Sequence, residues 1–154
     1  MQDALHHVGF TVAKMERSIG FYSLLLQAEP VMRRRYGEQF ISEVVGYEET
    51  LLDCALFSIP RSGVILELLE YLRPVGARAD METYNVGNAH LCLIVDDLER
   101  EYRRLREAGV EFRSPPVDVP ADIEGDPAKG GRALYLRDPD GITVELLEMP
   151  SLAA

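Results

Sequence analysis

The sequence predicts an α+β fold made of two paired βαβββ modules, and three observations predict it. HVGFTVAKMER, starting at His7, is answered by HLCLIVDDLER, starting at His90: the histidines match, as do Val12 with Val95, Met15 with Leu98, Glu16 with Glu99 and Arg17 with Arg100. GVILELLEY, Gly63 to Tyr71, is answered by GITVELLEM, Gly141 to Met149, and the interval between the two lines differs by only a few residues from one half to the other. Within each half a two-residue hydrophobic alternation gives way to helical spacing and then to further strand-like runs. A repeat of that kind sets the architecture before any single element does.

The elements follow in order. The line from His7 alternates as a strand, and Met15, Ile19, Tyr22 and Leu26 then fall on one face of a helix. FISEVVGY, LLDCALFSI and GVILELLEY are the next strand candidates, closing a first module over residues 1–72. Residues 73–88, with Pro74 and two glycines, read as a linker. The second module, 89–150, opens on the strand from His90. Its helix carries Leu98, Tyr102 and Leu105 on one face, Asp96 as N-cap with Glu99 three residues on, and Gly109 to end it. VEF, RALYLRD and GITVELLEM complete it, the last two joined by a tight turn at DPDG, Asp138 to Gly141. Ser114 to Gly131 is rich in proline and glycine and reads as a lid or a surface excursion.

Composition narrows the function. A chain of 154 residues that is 47% apolar can bury a core of its own, as one compact duplicated domain. A net charge of -10 argues against nucleic acid as partner, because a phosphate backbone calls for a basic surface. No apolar run approaches the roughly 20 residues that span a bilayer, and MQDALHHVGF has no basic start followed by an apolar stretch, so a cytoplasmic protein is expected. Cys54 and Cys92 stand far apart among apolar neighbours and are expected to be buried free thiols.

Strand parity isolates the residues that carry chemistry. His7 shares a face with Gly9 and Thr11, and His90 with Cys92 and Ile94, while Val8, Phe10, Val12 and Leu91, Leu93, Val95 form the faces that seat the helices. The histidines therefore point away from the helix layer. Glu67 and Glu145 lie mid-strand between Leu66 and Leu68 and between Val144 and Leu146, where an unpartnered carboxylate costs several kcal/mol. One compensator answers all four: a divalent metal held by His7, Glu67, His90 and Glu145. If eight strands form one open, curved sheet, the four converge near its axis with coordination positions left for substrate. Taken singly, each residue has a plainer reading as a core histidine or an ion-paired glutamate.

HHVGFTVAKMERSIGFY, the histidine of GNAHLCLIVDDLE and LRDPDGITVELLE together resemble the vicinal oxygen chelate superfamily, which groups glyoxalase I, epimerases, fosfomycin and bleomycin resistance proteins and extradiol dioxygenases. The resemblance runs from about Leu5 to Met149 and implies paired modules as an open barrel around the metal, with the same four ligands. The His/Glu/His/Glu set is most similar to glyoxalase I and its isomerase relatives. Two departures stand out: Leu26 is followed by Gln27 where the family commonly has glycine, and the stretch GYEETLLDCALFSIPRSG is lengthened. Both reshape the pocket, so recognition of glutathione or coenzyme A does not carry over.

The expected activity is a metal-dependent isomerase, epimerase or glyoxalase-type lyase on a small oxygenated substrate, with Glu145 and Glu67 moving the proton and Ni, Co, Zn, Mn, Fe or Mg as the ion. The alternatives are an Fe(II) extradiol-type dioxygenase, against which a fourth protein ligand counts, and a metal-free protein that sequesters a drug. The resemblance further implies a homodimer. His6 has the wrong parity for a ligand, and Glu70 and Glu148 repeat at strand ends as solvated carboxylates. Arg33, Arg34 and Arg35 form a basic cluster that reads as solvated surface or, less readily, as a seat for an anionic tail. Lys129 and Arg132 flank the end of the lid within reach of a ligand, and Glu43 is a spare acid or base in a candidate strand.

Overall fold

The computed structural model describes residues 5–150. The chain divides into two compact halves, Met1–Ala79 and Asp80–Ala154. In the first, β1 (His7–Thr11) leads into α1 (Met15–Leu26), then β2 (Met32–Tyr36), α2 (Gln39–Val45), β3 (Leu51–Ser58) and β4 (Ile65–Arg73). The strands form a four-stranded sheet in the order β1-β4-β3-β2, with β1 and β4 parallel and the rest antiparallel. In the second half, β5 (His90–Ile94) and α3 (Leu98–Glu107) are followed by β6 (Glu111–Phe112), β7 (Val117–Asp118), β8 (Arg132–Arg137) and β9 (Thr143–Glu148). The order is β5-β9-β8-β6, with β7 paired to β8 as well. Both halves thus repeat one plan, a parallel pair of first and last strands with the helix between them in sequence. The described strands make two sheets, of four and five strands, rather than an even eight.

Alternation decides what is buried. On β4, Leu66, Leu68 and Glu70 are buried while Ile65, Glu67, Leu69 and Tyr71 remain half-exposed, so one face carries the helix and the other is open. α1 packs on β3 and β4 through Met15, Tyr22 and Leu25. A fully buried side chain of that size contributes roughly 1.5–3 kcal/mol. In the second half Leu98 and Leu105 of α3 meet the covered face of β9, where Val144 and Leu146 are buried.

Several expectations are corrected. FISEVVGY is not a strand: its residues form most of α2, and the strand is MRRRY just before it. Phe40 with Val44 and Ile41 with Val45 are spaced at i, i+4, Gln39 donates to Glu43 at the same spacing (2.8 Å), and Gly46 ends the helix at φ +77°. Glu43 accordingly lies on a helix. The N-cap of α3 is Asp97, whose carboxylate accepts from the Arg100 amide at 2.8 Å, so the cap lies one residue beyond the expected Asp96. The DPDG turn forms as expected: Asp138 accepts from the amides of Asp140 and Ile142, at 2.8 and 2.7 Å. Ser114 to Gly131 is tied down at both ends, by β7 on β8 and by hydrogen bonds exchanged between Val119 and the Gly130–Gly131 pair. A Cβ at Gly131 would lie 2.2 Å from the Glu148 carbonyl, so this close approach admits only glycine.

Candidate metal centre

Each half builds a His–Glu pair by the same register. His7 lies opposite Ile65 in the parallel β1–β4 ladder and Glu67 is two residues further along; His90 lies opposite Thr143 and Glu145 is again two further. The diagonal brings His7 Nε2 to 3.5 Å from Glu67 Oε2 and His90 Nε2 to 3.1 Å from Glu145 Oε2. The environments match: the imidazoles are 45% and 42% exposed and the carboxylates 23% and 19%. All four point to the open face, as parity demands.

The donor chemistry fits a divalent cation. Two donors each about 2.1 Å from one ion, at angles between octahedral and tetrahedral, stand roughly 3.0–3.4 Å apart, and the two pairs lie close to that span. Imidazole nitrogen with carboxylate oxygen suits borderline and hard divalent ions. Each half by itself presents two donors. Among the described residues no group of three or more His, Cys, Asp and Glu side chains is placed to hold a metal ion.

Groups that sequence reasoning passed over surround the pairs. Cys54, buried on β3, donates to Glu67 Oε1 at 3.6 Å, and its thiol is pushed up to about 12, first by burial and then by the Glu67 charge. Cys92 stands opposite Glu145 on the same face, and desolvation and the Glu145 charge push its thiol up to about 12 as well. Its residue is nonetheless exposed, so the expectation of two buried thiols holds for Cys54 alone. Tyr135, opposite Glu145 across β8 and β9, sets its ring 5.3 Å from that of His90. Burial, then Glu145 and Cys92, raise its phenol; burial, Tyr47 and Glu67 do the same for Tyr71. The register places each tyrosine on its glutamate's face, a signal readable once β8 is paired with β9 and Tyr71 is counted from Glu67.

Glu70 and Glu148 are not solvated, which corrects the reading above. Glu70 is 9% exposed and accepts the Met15 amide at 2.6 Å, with Lys14 Nζ at 3.4 Å; Glu148 accepts the Leu98 amide at 2.6 Å. These amides open α1 and α3, and a helix's first N–H groups have no partner of their own. The repeated ELLE therefore does two things: its first glutamate faces the open side, and its second, on the other face, closes the start of the helix.

The remaining candidates are accounted for locally. His6 is exposed, with its Nδ1 2.8 Å from that of His7. The arginines of β2 are answered within their half: Arg33 by Glu16 (2.6 Å) and Asp53 (2.9 Å), Arg34 by Glu38, Arg35 by Asp53 at 4.0 Å. Asp53 and Glu16 raise the Arg33 pKa further, and hydrogen bonds from the backbone amides of Glu38 and Gly37 lower that of Glu38. A seat for an anion is thereby weakened. Arg132 meets Asp118 at 3.2 Å and Glu99 at 3.4 Å, which fastens it to β7 and α3. Lys129 gives its amide to the Asp126 carbonyl in a turn.

Comparison with known proteins gives the chain its relatives. The chain is 27% identical over 154 residues to a 2-epi-5-epi-valiolone epimerase of Actinomyces sp, covering 96% of this chain and 80% of that protein. It is 28% identical over 153 residues to a lactoylglutathione lyase of Neisseria meningitidis, covering 96% and 91%. Among solved structures, a glyoxalase family protein from Bacillus cereus superposes with a TM-score of 0.75 at 22% identity, over 96% of each chain. A fosfomycin resistance protein from Listeria monocytogenes, complexed with Mn(II) and a dihydroxypropylphosphonic acid, does so at 0.59 and 19% identity, over 97% of this chain and 94% of that one. Among the described residues no helix is long and apolar enough to cross a membrane. The family model of the glyoxalase/bleomycin resistance protein/dioxygenase superfamily matches residues 4–146, and the chain belongs to that superfamily.

Proposed function

We propose that the protein is a divalent-metal-dependent isomerase or epimerase, or a glyoxalase-type lyase, that removes a proton next to a carbonyl of a small oxygenated substrate. The observation that carries this reading is the matched pair of His–Glu contacts, at 3.5 and 3.1 Å, each with its carboxylate three-quarters buried or more beside a half-exposed imidazole. His7, Glu67, His90 and Glu145 would hold the cation, two donors from each half. When bound, a divalent ion supplies a Lewis acid that polarises the substrate carbonyl and acidifies the adjacent C–H.

The chain's own part is the proton. In both pairs Oε2 faces the imidazole, and Oε1, which in Glu67 already accepts from Cys54, keeps a second lone pair able to take or return a proton. Two such carboxylates from two copies of one module suit a substrate whose proton leaves by one and returns by the other, to the opposite face in an epimerase or to the neighbouring carbon in a lyase or isomerase. Leu56, Leu69 and Tyr71 in the first half and Leu147 and Tyr135 in the second share the face of these carboxylates, and a substrate seated on them would limit exchange of the proton with bulk water. The names of the epimerase and lyase relatives, and the Mn(II) in the Listeria protein, support the same class. The reading includes one duplicated domain, with 73–88 joining modules 1–72 and 89–150, acting in the cytoplasm as a homodimer.

The test is metal content after chelator-free purification, followed by solvent deuterium exchange into cyclic ketoses, thiol adducts of 2-oxoaldehydes and acyl-CoA epimers. One bound divalent ion per chain and deuterium wash-in with one of these classes are expected. A quadruple alanine variant of His7, Glu67, His90 and Glu145 that keeps the wild-type metal content would end the proposal.

A further inference from the structure

The chain contains two cysteines, and both sit against the two glutamates of the candidate metal centre. Duplication does not account for this. Cys54 lies opposite Leu69 on β4, and the matching place in the second half, opposite Leu147 on β9, holds Ala133. Cys92 lies opposite Glu145, and the matching place in the first half, opposite Glu67, holds Gly9. One thiol arrives from the antiparallel neighbour of its glutamate strand and the other from the parallel neighbour. Each glutamate thus meets a cysteine from a position that the repeat does not match; a Cβ at Gly9 would stand in ordinary contact, 3.4 Å from Glu67 Oε2, beside the oxygen that faces His7.

In the first half the division of the carboxylate is explicit. Glu67 Oε2 faces His7 Nε2 at 3.5 Å, and Oε1 accepts from Cys54 Sγ at 3.6 Å. The thiol is a weak donor but fixed by its strand, so it sets the rotation of the carboxylate plane about the Cγ–Cδ bond. In the second half Cys92 stands directly opposite Glu145 in the parallel ladder, on the same face, while Oε2 faces His90 at 3.1 Å. Partners of this kind orient a ligand and sharpen the geometry that a cation meets.

We infer that Cys54 and Cys92 are positioning residues that donate S–H hydrogen bonds to Glu67 and Glu145, turning one oxygen of each toward its own histidine, where it would be presented to a cation. This rests on the metal-centre reading given above. The thiols themselves stay outside the coordination sphere. The pair of cysteines therefore sets how tightly the centre binds a divalent ion without contributing a ligand.

The experiment is calorimetric titration of Mn(II) into the metal-stripped full chain, for wild type, Cys54→Ala, Cys92→Ala and both serine variants, with a thermal melt of each as fold control. Each alanine variant is expected to bind Mn(II) roughly 10-fold more weakly or worse, and each serine variant, which keeps an O–H donor, to return close to wild type. Alanine variants that bind as wild type does would overturn the inference while leaving the metal-centre reading intact. Serine variants as weak as alanine would overturn it too, since they would make the thiols packing groups. Wild-type protein that takes up neither Mn(II), Ni(II) nor Zn(II) would bring down the metal-centre reading, and this one with it. If Cys54→Ala does not fold, the exposed Cys92 pair decides alone.

Discussion

The two halves place a histidine and a glutamate with the same register offset, exposures within a few per cent and Nε2–Oε2 distances of 3.5 and 3.1 Å, yet almost nothing around the pairs is shared. Beside Glu67 stand Gly9, Leu56 and the thiol of Cys54; beside Glu145 stand Cys92 and Tyr135, whose ring lies against His90. The first half inserts α2 between its second and third strands, where the second half carries its excursion from Ser114 to Gly131. What stayed fixed is what a backbone ladder dictates. What diverged is the set of side chains beside the pairs, so on the proposed function the repeat would carry the chemistry and the differences the specificity.

The sharpest way to break the symmetry is to neutralise one carboxylate at a time. Glu145→Gln and Glu67→Gln keep an oxygen for a cation but lose the proton acceptor, and each is expected to slow solvent deuterium exchange by ~10²–10⁴-fold. Loss through only one of them would make that glutamate the base and its counterpart a ligand alone. His7→Ala and His90→Ala should both release the metal, measured by elemental analysis. If one releases it and the other retains it, the halves are not equivalent holders.

The thiols give the next largest effect. Both are pushed up to about 12 from an ordinary 9.0, so at neutral pH the thiolate fraction falls by roughly 10³ and alkylation slows with it. Cys92, although exposed, should resist iodoacetamide in the metal-stripped protein below about pH 9, and Glu145→Ala should speed its labelling without changing that of Cys54. The sign for stability follows: a raised acid pKa favours the neutral folded form, so the contribution is complete below pH 9 and is lost as pH climbs toward 12. Equal rates for Cys92 and a free thiol peptide would refute the contact.

Helix closure tests the halves by stability. Glu70→Ala and Glu148→Ala each orphan a helix-opening amide, at about 1–2 kcal/mol, with the larger loss expected at the more buried Glu70, which also meets Lys14. Urea melts would rank them. A smaller asymmetry lies at the other end. α1 is capped by Gln27 in the left-handed region at φ +52°, whereas after α3 that conformation falls to Gly109 at +83°. Gln27→Gly should stabilise the first half by about 0.5–1 kcal/mol, while Gly109→Ala should cost at least as much.

The sequence made legible whatever recurs. His7 with His90 and Glu67 with Glu145 were visible because two copies expose a pattern that one cannot, and strand parity gave their face correctly. Parity also put Glu70 and Glu148 on the helix side, but their fate depended on where the first helical amides lie, which no spacing reveals. α2 was missed because FISEVV alternates nearly as well at two residues as at four, and nothing local weighs the choice. Cys54 escaped because its partner is on the neighbouring strand, and a contact across a ladder needs the register, which a single sequence does not fix.

The smallest effect is expected in α2. Among its residues none is buried, and Phe40 and Val44 are 48% and 75% exposed. Its anchorage is aromatic: Phe40 lies edge-on to Tyr36 at 6.2 Å, just past its end Tyr47 lies edge-on to Tyr71 at 6.3 Å, and Tyr36 and Tyr71 share the open face with Glu67. Val44 takes no part in either contact, so Val44→Ser should move stability by no more than about 0.5 kcal/mol and leave Mn(II) affinity unchanged. A clear drop in melting temperature would mean that the apolar side of α2 is covered by something outside its own half. The insert would then be a packed wall, and not a freely variable rim.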